Sequence, residues 1–317
     1  MTLPVWTTTD VHDLNAPVPQ ATACRGPGQI ALTYGEGPTD VTAKVLNALK
    51  ATQAKANFFV NTSWLTTQQY AMILQRAYND GHLIGMTYRP PKDTSEGLTD
   101  EEIQIDVLNS AQAIEDVIGV APKYIRLHYV QPEDIRLEHI LYDLGYTIIG
   151  YNLDVMDYNN TKNNPNAITN YYKETFAKQM DTYDTKSSYI SIQSDIPETG
   201  SSEAVNDVIK AIDDAGYTMV RLDGCLIDNY PYKEHAGSLK FVNDKHSWGQ
   251  PMYKSGQQVI RESTNTTFGV SSVSRNDTEA NKANIAKKVM TSDSDAPQIN
   301  LYTAGGMILL QGLIHLL

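Results

Sequence analysis

The stretch Gln29-Ile30-Ala31-Leu32-Thr33-Tyr34-Gly35-Glu36-Gly37-Pro38 sets the reading of the whole chain. A short apolar run stops at a Gly-Glu-Gly-Pro turn, and Val41, Val45 and Leu49 then repeat at helical spacing. This is a strand, a turn and a helix. Similar apolar runs recur at Asn57–Val60, Leu83–Met86, Tyr124–His128, Thr147–Asp154, Tyr189–Gln193 and Thr218–Leu222. Helical patterns lie between them, as in Val107, Ala111, Ile114 and Ile118, or Ala204, Val208 and Ile212 before Gly216. Strands alternating with helices imply parallel strands joined by crossover helices. About seven such units point to a closed or nearly closed barrel, whose functional groups belong at the C-terminal strand ends.

The chain has 317 residues, 41% hydrophobic and 20% charged, which is ordinary for a globular core. A net charge of −12 without a basic run would repel a phosphate backbone, so nucleic acid is not an expected partner. Two cysteines, Cys24 and Cys225, suit either one long-range disulfide or two buried thiols. Asn61, Asn159, Asn265 and Asn276 each open a glycosylation triplet, and together they favour an extracytoplasmic protein. No signal peptide is visible at Met1. Residues 301–317 end in an apolar tail after a polar spacer, with Ser292, Asp293 and Ser294 upstream. That order fits a lipid-anchor (GPI) signal, and it also fits a final amphipathic helix. The expected layout is an irregular lead-in over 1–23, a barrel over 24–230, a polar Ser/Thr/Asn-rich extension over 231–300, and the tail.

The strand-end segments, taken in order, resemble the polysaccharide deacetylase family (NodB homology, carbohydrate esterase family 4), and its fungal chitin deacetylase branch above all. The likeness runs from Cys24-Arg25-Gly26-Pro27 to Cys225-Leu226-Ile227-Asp228. It includes Lys55-Ala56-Asn57-Phe58-Phe59-Val60 and Gly81-His82-Leu83-Ile84-Gly85. It implies a distorted (β/α)7-type barrel and a Cys24–Cys225 disulfide. It also implies metal-assisted removal of an N-acetyl group, with zinc or cobalt as the family's metal.

Against that pattern the site is depleted. Where the family places a general base and a metal-binding Asp, this chain has Gly35 and Glu36. Where it places two metal-binding histidines, the chain has Thr87 and Pro91, or Met86 and Pro90 under a shifted gap. His82 is expected to be a structural histidine at a turn. Arg126 and Tyr129 survive from the third motif, Asp154 and Asp157 from the fourth, with Tyr158 in place of Trp. The general-acid histidine is replaced by Ser194. A catalytic zinc needs about three protein ligands, and Glu36 alone remains, so no cofactor is expected. His128, new at the mouth, is a candidate partner for Glu36 or Asp154 in a rearranged site.

The expectation is a catalytically inactive surface or cell-wall protein that binds chitin or another N-acetylglucosamine polymer. Arg126, Tyr129, Tyr158, Tyr88 and Arg89 would line its cleft. The alternatives are an active deacetylase with a rearranged metal site and a structural or adhesive protein without glycan affinity.

Overall fold

A computed structural model describes residues 16–128, 134–159 and 164–259. In chain order the elements are β1 (Gln29–Ala31), β2 (Thr33–Gly35), α1 (Asp40–Ala51), β3 (Asn57–Val60), α2 (Gln68–Asn79), β4 (Leu83–Tyr88) and α3 (Asp100–Ile118). Then come β5 (Ala121–Pro122), β6 (Tyr124–Leu127), α4 (Ile135–Asp143), β7 (Thr147–Ile148), β8 (Leu153–Asp154) and α5 (Pro165–Tyr183). The last are β9 (Tyr189–Ser194), α6 (Ser201–Asp214), β10 (Thr218–Met219), α7 (Leu222–Leu226), β11 (Tyr232–Lys233) and β12 (Phe241–Val242).

The main sheet runs β10-β1-β9-β2-β3-β4-β6-β7, with β8 also on β9, and its pairs are parallel. The stretch 147–154 serves two neighbours. Its first half pairs with β6 and its second half with β9, so one segment spans the gap between the ladders. This is the distorted parallel barrel expected, with two ladders rather than one continuous ring.

Period-two alternation divides the side chains. Ile30, Leu32, Tyr34, Phe58, Val60, Ile84 and Met86 join the buried faces of the helices in the larger cluster. Ala31, Phe59, Leu83, Tyr124, Ile149 and Ile190 form a second cluster enclosed by the strands, together with Cys24 and Cys225. Those cysteines are disulfide-bonded across a separation of 201 residues.

The helices are delimited locally. Thr99 caps α3 and exchanges hydrogen bonds with Glu102, and Gly119 ends the helix in the left-handed conformation, φ 81°. Its buried stripe is Ile103, Val107, Ala111, Ile114 and Ile118. Among the described residues no helix is long and apolar enough to cross a membrane.

Ordered contacts continue on both sides of residues 24–230. In the segment read as an irregular lead-in, Val18 is buried and its N–H donates to Glu138 Oε2 at 2.9 Å. Ala21 bridges to Ile149 in parallel. Beyond residue 230, where a polar extension was expected, β11 pairs with β5 and β12. The reason is that polar groups here are buried through bonding rather than apolar area. Lys233 is 1% exposed, its Nζ donating to the Leu144 carbonyl at 2.6 Å. Asp244 joins the buried Arg221–Asp223 pair, and the Trp248 N–H donates to Asp223 Oδ2 at 2.9 Å. Asn265, Asn276 and the tail 301–317 lie outside the described residues.

Candidate functional site

The C-terminal strand ends meet at one mouth. The turn after β2 puts Glu36 there with φ 73°, a backbone conformation costly for a side-chain-bearing residue and commonest at functional sites. Four contacts hold this turn, three of them through Glu36. Its Oε1 lies 2.7 Å from His128 Nδ1, and its Oε2 accepts from Asn61 Nδ2 at 3.2 Å. Its carbonyl accepts from Trp64 Nε1 at 2.8 Å. Behind it the Gly37 N–H donates to Asp195 Oδ1 at 2.9 Å. A Cβ on Gly37 would lie 2.2 Å from Asp195 Oδ2, so only glycine admits that carboxylate. Burial pushes the Glu36 carboxyl up, but the bond to and charge of His128, then Asn61 and Arg89, outweigh it and hold the carboxyl below its usual value.

Asp195 also accepts from Thr42 Oγ1 at 2.5 Å. Desolvation raises its carboxyl to about 7 despite the bonds from Thr42 and Gly37. Asp157 is buried, and desolvation raises it as well. It accepts from the Ser194 N–H and from Ser201 Oγ at 2.8 Å, so it braces the end of β9 against α6. Arg126 bonds neither Asp154 nor Asp157; its donors go to Thr33 Oγ1 and to the Ile149 and Gly150 carbonyls. Among the described residues Arg126, Asp154 and Asp157 are thus attached at three different places. Asp154 accepts from the Met156 N–H at 2.8 Å and from Tyr158 Oη at 3.3 Å.

The other expected positions fall as follows. Thr87 is 8% exposed and its Oγ1 donates to the Phe59 carbonyl at 3.1 Å. Pro91 is exposed in a short 3-10 turn, Pro91–Asp93. His82 is 1% exposed, its Nδ1 accepts from the Ala56 N–H at 3.1 Å, and burial pulls it well below the usual histidine value. Tyr88 is 2% exposed with its hydroxyl on Asp106, because alternation from Met86 turns it toward α3. It borders the cleft formed with Asn61 and Arg89, with most of its ring covered. Tyr158 is 59% exposed. Tyr129 lies outside the described residues. Asn61, read as a glycosylation acceptor, is half-buried with its amide nitrogen on Glu36, whereas Asn159 is exposed.

Two clefts adjoin this centre, of about 620 and about 340 Å³, and both are lined by Asn61 and Arg89. The smaller includes Glu36 and Trp64, whose ring is 39% exposed and set edge-on to Tyr70 at 5.8 Å. Sequence reading singled out neither Trp64 nor the Asn61–Glu36 bond. A tryptophan four residues past an apolar run was the available signal.

The family's chemistry implies a divalent metal at this mouth, and among the described residues the side-chain donors do not fit one. Glu36 is engaged on both oxygens, Thr87 spends its hydroxyl on a backbone carbonyl, and Pro91 has no donor atom. Among the described residues no three His, Cys, Asp or Glu side chains converge.

A parallel barrel with its polar groups gathered at the C-terminal mouth defines the class, and comparison with known proteins defines the family. Residues 22–149 match the polysaccharide deacetylase family model. The chain is 32% identical over 209 residues to a chitin deacetylase of Colletotrichum lindemuthianum, covering 65% of this chain and 82% of that protein. It is 27% identical to a chitin deacetylase of Pestalotiopsis sp, covering 65% and 66%. The solved Colletotrichum enzyme superposes with a TM-score of 0.60 at 31% identity, over 69% of this chain and 96% of that one. The chain belongs to the polysaccharide deacetylase family.

Proposed function

We propose that this protein binds chitin or a related N-acetylglucosamine polymer at its barrel mouth and does not deacetylate it. The observation that carries this reading is the occupation of the reacting positions. Gly35 has no side chain, Thr87 is bonded to backbone, and Ser194 is held by Asp157. A general base and a general acid each contribute on the order of 10²–10⁴ in rate, and an unligated water is not acidified toward neutral pH. Binding asks for less. The half-exposed Trp64, the exposed Tyr158 and the polar lining at Asn61, Arg89 and Asp93 suit a polyhydroxylated ligand. The proposal includes an extracytoplasmic location, supported by the sequons and the disulfide, with attachment through residues 301–317.

The test is acetate release from N-acetylglucosamine oligomers with added Zn²⁺ or Co²⁺, alongside retention on insoluble chitin. Retention without acetate release is expected. Metal-dependent release well above a blank overturns it, and absence of retention on any wall polymer leaves a structural or adhesive role.

A second reading is favoured by the Glu36–His128 contact at 2.7 Å. It is an active deacetylase with a rearranged metal site. It requires stoichiometric metal in the purified protein and its loss in His128→Ala, and metal analysis separates the two readings.

A further inference from the structure

Arg126 presents a problem in charge balance. It is 5% exposed, and its three bonded groups are neutral: Thr33 Oγ1 at 2.8 Å from Nη1, the Ile149 carbonyl at 3.3 Å from Nε, and the Gly150 carbonyl at 3.4 Å from Nη2. Its Cζ lies 4.2 Å from the centre of the Phe59 ring. Among the described residues no carboxylate forms an ion pair with it. A guanidinium remains charged in proteins, and a buried charge without a counter-ion is costly. These three bonds use three of five N–H donors, leaving one on each terminal nitrogen. Burial accordingly pulls the guanidinium below its ordinary value.

Beside it there is space. Gly35 and Phe59 are register partners, as are Thr87 and Arg126. Gly35 therefore faces the same side as the ring on which Arg126 rests. A Cβ built on Gly35 would have one neighbour within 4 Å, Thr87 Oγ1 at 4.0 Å. Gly85, the other glycine within a described strand, is crowded: a Cβ there would lie 2.8 Å from Phe59. Arg126 reaches Thr33, two residues before Gly35 on the same face of β2, and rests on Phe59, the register partner of Gly35, so the cation adjoins the open side of Gly35.

We propose that the space beside Gly35 is a binding site for a small carboxylate of formate or acetate size, held end-on by the two remaining N–H groups of Arg126. A planar fork of two donors matches two carboxylate oxygens, which gives a carboxylate the advantage over a halide. Gly35 and Arg126 belong to the same mouth, but neither Glu36 nor His128 takes part, so formate binding is read separately from acetate release and chitin retention.

The experiment measures the thermal midpoint of the full chain against formate, with gluconate holding ionic strength constant and a parallel chloride series. Binding to the native state alone raises the midpoint saturably. The wild type is expected to show that rise with formate and a smaller one with chloride. Gly35→Asp supplies a tethered carboxylate, so its midpoint should be higher without formate and flat in its presence. Gly35→Ala fills part of the space without charge, and its half-saturating formate concentration should increase. A wild type indifferent to formate, a chloride response as large as that to formate, or variants that all respond like the wild type would overturn the proposal. Should Gly35→Asp fail to fold, an unchanged formate response in Gly35→Ala is sufficient to reject it.

Discussion

Glu36 and His128 meet across the barrel mouth, Oε1 to Nδ1 at 2.7 Å, and so tie the end of β2 to the end of β6 over the two strands between them. Both side chains are mostly enclosed, at 21% and 23% exposure, so the contact is only partly screened by water.

His128→Ala is expected to cost about 1 kcal/mol at pH 7. The sign with pH follows from Glu36. Its carboxyl is held below the usual value in the folded state, so the stability it confers is present above the unfolded value and lost as pH falls through the folded one. Urea midpoints from pH 7 to pH 3 should show the two proteins converging at the acid end. A gap that stays constant would mean His128 acts through packing alone.

Asp195 behaves in the opposite sense. Its carboxyl is raised from 3.8 to about 7, so between those values the folded state holds more protons than the unfolded. Its contribution is greatest below the unfolded value and is lost as pH rises toward 7. Asp195→Asn should flatten this slope while keeping an acceptor for the Gly37 N–H. Equal slopes for the two proteins between pH 4 and pH 7 would contradict the assignment.

Truncation after residue 230 should unfold the domain or leave it severely destabilised, whereas truncation after residue 259 should not. The shorter chain strips Asp244 and the Trp248 N–H from the buried Arg221–Asp223 pair. Breaking a buried ion-pair network typically costs about 3–5 kcal/mol. Circular dichroism and thermal midpoints of the two truncations distinguish the outcomes.

Replacing Cys24 and Cys225 together by serine should cost about 2–5 kcal/mol, because the bond closes a loop of some 200 residues. A midpoint unchanged by the double substitution would show that the reduced chain keeps its ends together by other means.

The strand ends were legible because apolar runs and the turns that stop them are local signals. Gly35-Glu36, Thr87, Arg126, Asp154 and Ser194 all fall at the C-terminal ends of strands or immediately beyond. The facing of Tyr88 was not, since β4 runs two residues past the expected Met86 and parity then decides which side a ring occupies. Asn61 was legible only as a glycosylation triplet. Its partner Glu36 is 25 residues away, and nothing in the spacing announces the bond. The strap beyond residue 230 was hidden for a different reason. Lys233 and Ser247 are buried polar residues, held in place by hydrogen bonds that composition does not record.

The stretch 147–154 works as a ruler. Its two halves lie against different strands, so its length fixes how far β6 stands from β9 along the barrel axis. An inserted or deleted residue there would slide one ladder past the other and reverse the facing of every side chain downstream in the segment. Mouth loops can change length without moving a strand. These eight residues cannot, and variation in this family should spare their number even where it spends their identity.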